Sequence, residues 1–192
     1  MNRSFYILLL VLLVHFAGYA QTGLPQPITK EILEQLTAEV RQEADEYAAT
    51  LKQKSDTVTG EFPGLSAEAL KFSKDTFSIE RLYHKRTNID YSTIGINEAL
   101  AVKTEAYRRL MTGYFDDLIR RLAPEDRKVL IAAQDAWTQF YRKELELMNT
   151  LAEESYSGGG TIRSDIVQHH RAESVKSRAV VLFIYYDTMQ KY

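Results

Sequence analysis

Gln134-Asp135-Ala136-Trp137-Thr138-Gln139-Phe140-Tyr141-Arg142-Lys143-Glu144, running on through Leu145, Met148 and Leu151 into Tyr156-Ser157-Gly158-Gly159-Gly160-Thr161, is the stretch that decides the fold class. Leu130, Ala133, Trp137, Phe140, Tyr141, Met148 and Leu151 recur every three or four positions, the spacing that lines one face of a helix. Trp137, the chain's only Trp, is therefore expected to be a packing anchor. Three consecutive glycines cannot prolong that helix cheaply, because each loses more backbone freedom than any other residue. Thr161 can then accept a bond from the free N–H groups of a following turn. The reading is a long helix, a glycine-broken tip and a returning helix.

Outward from this hairpin the same periodicity continues. Ile28, Ile32, Leu36, Val40, Ala44, Tyr47 and Leu51 mark an N-terminal amphipathic helix after Pro25 and Pro27. Asp56, Gly60, Pro63 and Gly64 supply turn chemistry between Ser55 and Ser66. Ser66 can start a short helix, a second short element spans about Thr76 to Lys85, and Arg86 to Gly95 reads as a loop. A third major helix is expected from about Ile96 to Leu122, with Leu100, Tyr107, Met111, Tyr114 and Leu118 on its stripe. Pro124 suits the first turn of the Trp137 helix, expected over about 125–154, because a proline's missing N–H would have had no partner there. The last helix begins at Thr161 and carries Ile162, Ile166, Val175, Leu182, Tyr185 and Met189, with residues 179–186 as a buried turn. Short links make long helices antiparallel neighbours, so the fold class is all-α: an elongated antiparallel helical bundle with long helices joined by short loops. The expected domains are a signal peptide at 1–20, an N-terminal helix and linker at 21–65, and a helical domain at 66–192.

Residues 1–20 have the parts of a secretory signal: Arg3, the apolar run Phe5 to Val14, and the small-residue site Gly18-Tyr19-Ala20. Cleavage near Gln21 leaves 172 of the 192 residues and shifts the net charge from −2 to −3. That balance gives no electrostatic case for nucleic acid. No later segment has the ~18 apolar residues of a membrane span, and no Cys follows the cleavage site to take a lipid anchor. A periplasmic or secreted protein is the expectation. Zero cysteines exclude a disulfide scaffold and a thiol nucleophile.

Chemistry is sparse. His169 and His170 are adjacent, so on a helix they point about 100° apart and do not form the i, i+4 pair that puts two metal ligands on one face. His84, beside Tyr83 and Lys85, reads as a surface helix end. The carboxylates Asp116, Asp117, Glu144, Glu146, Glu153 and Glu154 read as solvated helix faces, Glu144 being the one with a structural bond to expect from Arg142, Arg178 or a backbone donor. Arg108, Arg109, Arg120 and Arg121 interleave with Glu105, Asp116 and Asp117 as a salt-paired face. No strand precedes Gly158 to Gly160 and no Gly-Lys-Ser/Thr follows, which argues against a phosphate loop. No catalytic residue, metal site or cofactor is assigned.

Gln134, Trp137, Phe140, Glu144, the Gly159-Gly160-Thr161 tip, and Arg178 with Leu182 four places later resemble, in order and spacing, the secreted helical domains named for the lysozyme inhibitor LprI (DUF1311). Asp75 to Glu80 and Tyr107 to Leu122 resemble the family's leading part, so the likeness covers roughly residues 75–190. Relatives carry Arg directly after the aromatic, where this chain has Tyr141 and then Arg142, and many carry cysteines that it lacks. The resemblance implies a non-enzymatic binding protein whose partner is lysozyme, met sterically by the tip Tyr156, Ser157, Gly158, Gly159, Gly160 and Thr161, with Glu153 and Glu154 facing a basic enzyme. It makes Gln134, Trp137, Phe140, Glu144, Arg178 and Leu182 structural motif positions. The alternative is a cell-envelope interaction module in which residues 21–65 dock on a partner or a second copy. An envelope hydrolase is the third reading, and no residue constellation supports it.

Overall fold

Side-chain caps set the first three helix starts. Thr29, Ser66 and Ser92 are extended residues whose hydroxyls accept the N–H groups of Ile32, Ala69 and Gly95, and Pro124 opens the next long helix, which has no such cap. The computed structural model describes residues 23–57, 64–158 and 162–189. The expected signal peptide, the turn residues Gly60 and Pro63, and Gly159, Gly160 and Thr161 of the tip lie outside these residues. The described residues form six helices: α1 Lys30–Asp56, α2 Ala67–Ile89, α3 Thr93–Arg121, α4 Pro124–Ala152, α5 Glu154–Ser157 and α6 Ile162–Met189. The fold is all-α, as the periodicity predicts. No described helix is long and apolar enough to cross a membrane.

The two short elements expected between residues 66 and 85, and the loop expected from Arg86 to Gly95, need correction: α2 is one 23-residue helix, and three residues separate it from α3. The run Arg86-Thr87-Asn88-Ile89 is poor in strong helix formers. Tertiary packing overrides that weak propensity, because Arg86 is buried in the bundle. Asp90 then turns the chain, its Oδ1 accepting the Ser92 N–H (3.2 Å) and hydroxyl (2.6 Å). Gly95 is required beside it, since a Cβ there would lie 2.1 Å from the Asp90 carboxyl carbon. His84 is correspondingly not at a helix end; it sits inside α2, half-buried, and burial lowers its pKa.

Helices joined by short links do run antiparallel. Asp45, Glu43 and Glu39 of α1 meet Lys74, Arg81 and Lys85 of α2 in reverse order, so the buried stripe Leu36, Val40 and Ala44 is spent within the chain. The closest pairing is between helices not adjacent in sequence. From α3 to α6, Lys103 meets Glu173, Tyr114 meets Phe183 and Arg121 meets Tyr186, with numbers rising together. The central pair α3 and α6 is therefore parallel, and α2 lies antiparallel against both.

Two interactions tie α2, α3 and α6 together. At one level Phe72, Tyr114, Phe183 and Tyr186 form an aromatic cluster, with Phe72 stacked on Phe183 at 4.0 Å between ring centroids. At the next, Glu80 of α2 accepts the Tyr107 hydroxyl at 2.7 Å and the Lys176 ammonium at 2.8 Å, and its other oxygen lies 3.0 Å from Lys103 Nζ. Lys103, 5% exposed, reaches Glu173 at 2.8 Å as well. Burial alone would raise the Glu80 pKa, but the Lys176 bond, the Lys103 charge and the Tyr107 hydroxyl outweigh it and hold the carboxyl below its ordinary value of 4.5. For Lys103, burial works to lower the pKa, and the bond to Glu173 and the charge of Glu80 outweigh it, leaving the ammonium above 10.5.

Glu80→Gln should destabilise the protein by about 3 kcal/mol in urea unfolding, because two cations lose their shared carboxylate while one is almost fully buried. The contribution from the depressed Glu80 pKa is complete above pH 4.5 and lost as pH falls through the folded value, whereas that from Lys103 is complete below pH 10.5 and lost as pH rises through its folded value. A melting-temperature profile should therefore be less steep on its acid side in the Gln variant than in the parent.

Candidate functional site

At 3.6 residues per turn, Leu130, Trp137, Tyr141 and Met148 share one side of α4, whereas Ala133, Phe140 and Leu151 lie roughly 60–80° round from it. The single apolar face expected for this helix is in fact two. The inner one packs on α6 and α3: Leu130 is buried, and Trp137 and Tyr141, stacked at 5.1 Å, lie against Tyr107, Val175 and Ala179. Trp137 is the anchor it was expected to be, half-buried. The outer face is open to solvent. Phe140 is 61% exposed, and Val129, Ala133, Ala136, Leu147 and Leu151 accompany it. Phe140 thus departs from its expected packing role, as do Ala133 and Leu151. Leu130 is the one fully buried residue in 29.

The motif residues otherwise converge on the seam between α4 and α6. Arg178 Nε donates to Gln134 Oε1 at 2.9 Å, and the guanidinium lies 5.9 Å from the Trp137 ring centre. Burial pulls the Arg178 pKa below its ordinary value. Leu182, one turn on, is fully buried in the aromatic cluster. Glu144 bonds to neither Arg142 nor Arg178; its carboxylate lies 3.9 Å from His170 Nε2. Arg142 instead turns back to the Thr138 carbonyl at 3.4 Å. The two adjacent histidines diverge as helical geometry requires, His169 toward Tyr83 of α2 at 3.5 Å and His170 toward α4. Among the described residues no group of three His, Asp or Glu side chains has the arrangement of a metal site.

Past Ala152 the chain breaks at Glu153, which is extended, makes the single turn α5, and closes on Gly158. Gly158 has φ +72°, a left-handed conformation that side chains resist, and its N–H reaches the Glu154 carbonyl at 2.8 Å. Tyr156 projects from this turn at 69% exposed, between the exposed carboxylates Glu153 and Glu154 and the glycine run. Along α3, Glu105 pairs with Arg108 and Arg109, and Asp117 with Arg120, forming the salt-paired face that the sequence suggested. Arg121 departs from that face and stacks on Tyr186, which is buried, while Tyr185 beside it is exposed.

Arg178→Ala should cost about 2 kcal/mol, since it leaves Gln134 and the Trp137 face without their partner. Amide hydrogen exchange should speed up in α4 and α6 near residues 134 and 178 while α2 stays protected; equal acceleration throughout would mean that α4 is not a separately held element.

The family model described as Lysozyme inhibitor LprI matches residues 85–182, just over half of the chain and all of the α4–α6 seam. Among the curated proteins and the solved structures, none matches.

Proposed function

Since the chain belongs to the LprI lysozyme-inhibitor family, we propose that it is a non-enzymatic protein of the periplasm or cell exterior that binds a lysozyme and blocks it sterically through the outer face of α4 and the tip that follows. The observation that carries this reading is the exposure of α4. A 29-residue helix with one buried residue gains little from the core, yet it displays Val129, Phe140, Leu147 and Leu151 in a row that leads to Tyr156. Contiguous exposed apolar surface of this kind marks interaction sites. Tyr156 adds a large ring and a hydroxyl on a narrow turn, the properties of an interface anchor. Glu153 and Glu154 beside it would meet a basic enzyme with complementary charge. Gly159, Gly160 and Thr161 extend the same tip in sequence, and Ser157 lies within its short helix. Export by the segment 1–20 completes the proposal, as does the division into an N-terminal helix with its linker and a helical domain from residue 66.

Titration into lysozymes of several types, reading binding heat and residual cell-wall lysis, tests it. Tyr156→Ala and Phe140→Asp should each weaken binding at least about tenfold, the loss expected at an interface anchor, with no change in melting temperature. Unchanged inhibition by the Tyr156 variant would remove the tip from the mechanism. No binding to any lysozyme would remove the partner.

A second reading, an interaction module for another envelope protein, has its own supporting observation. Val129, Ala133, Ala136, Phe140, Leu147 and Leu151 follow the alternating three- and four-residue steps of a coiled-coil seam, with Lys143 at the one position between Phe140 and Leu147 that is not apolar. A helical partner fits such a seam better than an enzyme cleft does. Under that reading Phe140→Asp abolishes capture of the partner while Tyr156→Ala leaves it intact.

A further inference from the structure

A cleft of about 250 Å³ opens between α1, α2 and α3, on helices the proposed docking face does not use. Its walls are mostly apolar, with Val40, Ile79, Leu82 and Val102 among them. Four cations line it, Arg41, Lys74, Arg86 and Lys103, and no carboxylate does. Two of these cations are already neutralised: Lys74 by Asp45, and Lys103 by Glu80 and Glu173. Arg86 is different. It is 7% exposed, its Nε is buried with no hydrogen-bond partner, and no carboxylate pairs with it among the described residues. A guanidinium whose Nε is buried and unbonded is costly, since nothing replaces the lost hydration of that nitrogen.

We propose that this cleft binds a small amphiphilic carboxylate, a medium-chain fatty acid anion, with the head group on Arg86 and the chain along the apolar wall. A carboxylate matches the planar fork of a guanidinium in a bidentate pair. A doubly charged phosphate would bring more charge into the cleft than one free buried cation offsets, and a sugar would leave its hydroxyls against apolar walls. The volume lies just below the range of drug-sized sites, which sets the length of the chain at that of octanoate rather than of a membrane lipid. Arg41, at the mouth on α1, forms no ion pair among the described residues and adds a second positive charge at the entrance.

Isothermal titration of octanoate into the full chain is the experiment, with octanol as the same chain without charge and acetate as the charge without the chain. Octanoate should bind saturably, one per protein, in the sub-millimolar range reached by ligands of about ten non-hydrogen atoms. Octanol and acetate should each bind at least about tenfold more weakly. Arg86→Met should lose octanoate binding by a similar factor and raise the melting temperature, because it removes an unpaired buried charge; a guanidinium with a purely structural role would lower it. Ala106→Phe, which fills the cleft and leaves Arg86 in place, should also abolish binding in a folded protein, so that the site can be tested even if the Arg86 variant fails to fold. Octanol binding as tightly as octanoate, no saturation by roughly 10 mM octanoate, or retained binding in Ala106→Phe would each overturn the proposal.

Discussion

The carboxylate of Glu80 is the point on which the arrangement of the helices depends. It is the one acidic group that α2 places between α3 and α6, and it receives Tyr107 and Lys103 from the first and Lys176 from the second. A parallel pair of helices separated in sequence by a whole hairpin has no short loop to fix its register. Apolar stripes alone tolerate sliding by a turn, because the surfaces they present are similar at each step. An ion hub does not, since a shift of one turn would leave Lys103 buried without a carboxylate. Glu80 therefore acts as a registry device, a use of buried ion pairs better supported than any net stabilisation.

With α2, α3 and α6 fixed in this way, the remaining helices are additions at the sides. α1 lies along α2 and brings three carboxylates to three cations, with Tyr47 stacked on Phe77 at 4.4 Å. α4 lies along α6, held by Leu130, the Trp137 and Tyr141 stack, and the bond from Arg178 to Gln134. Gln134, Trp137 and Arg178 are accordingly among the residues that attach α4 to the bundle, and the helix they hold turns its second apolar stripe, with Phe140, outward.

Helix content and most boundaries were legible in the sequence because periodicity and capping are local signals. Three features were not. The junction at residues 86–95 was hidden because weak helix propensity in Arg86-Thr87-Asn88-Ile89 is overruled by packing that a local reading does not contain. The parallel pairing of α3 with α6 follows from contacts across a hairpin, and chain order favours the antiparallel neighbours. The two stripes of α4 were merged because Ala133, Phe140 and Leu151 also obey a three- and four-residue spacing; a wheel drawn at 100° per residue separates them from Leu130 and Trp137 without any structure. At the site, exposure of Tyr156 was readable from the glycine run, whereas Glu80 and Arg86 look like ordinary surface charges until their neighbours are known.

Three buried or half-buried cations of this bundle show how differently the same cost is met. Lys103 has two carboxylates, and its pKa is raised despite burial. Arg178 has an amide oxygen and an aromatic face, and burial wins, lowering its pKa. Arg86 has neither, and its buried Nε makes no hydrogen bond. The other cations of α2 face carboxylates, with Glu43, Glu39 and Asp45 placed opposite Arg81, Lys85 and Lys74, whereas Arg86 lines an apolar cleft with no carboxylate paired to it among the described residues. The unbonded Nε of Arg86 beside an apolar wall, rather than the size of the cleft, is the observation on which its proposed role in ligand binding rests.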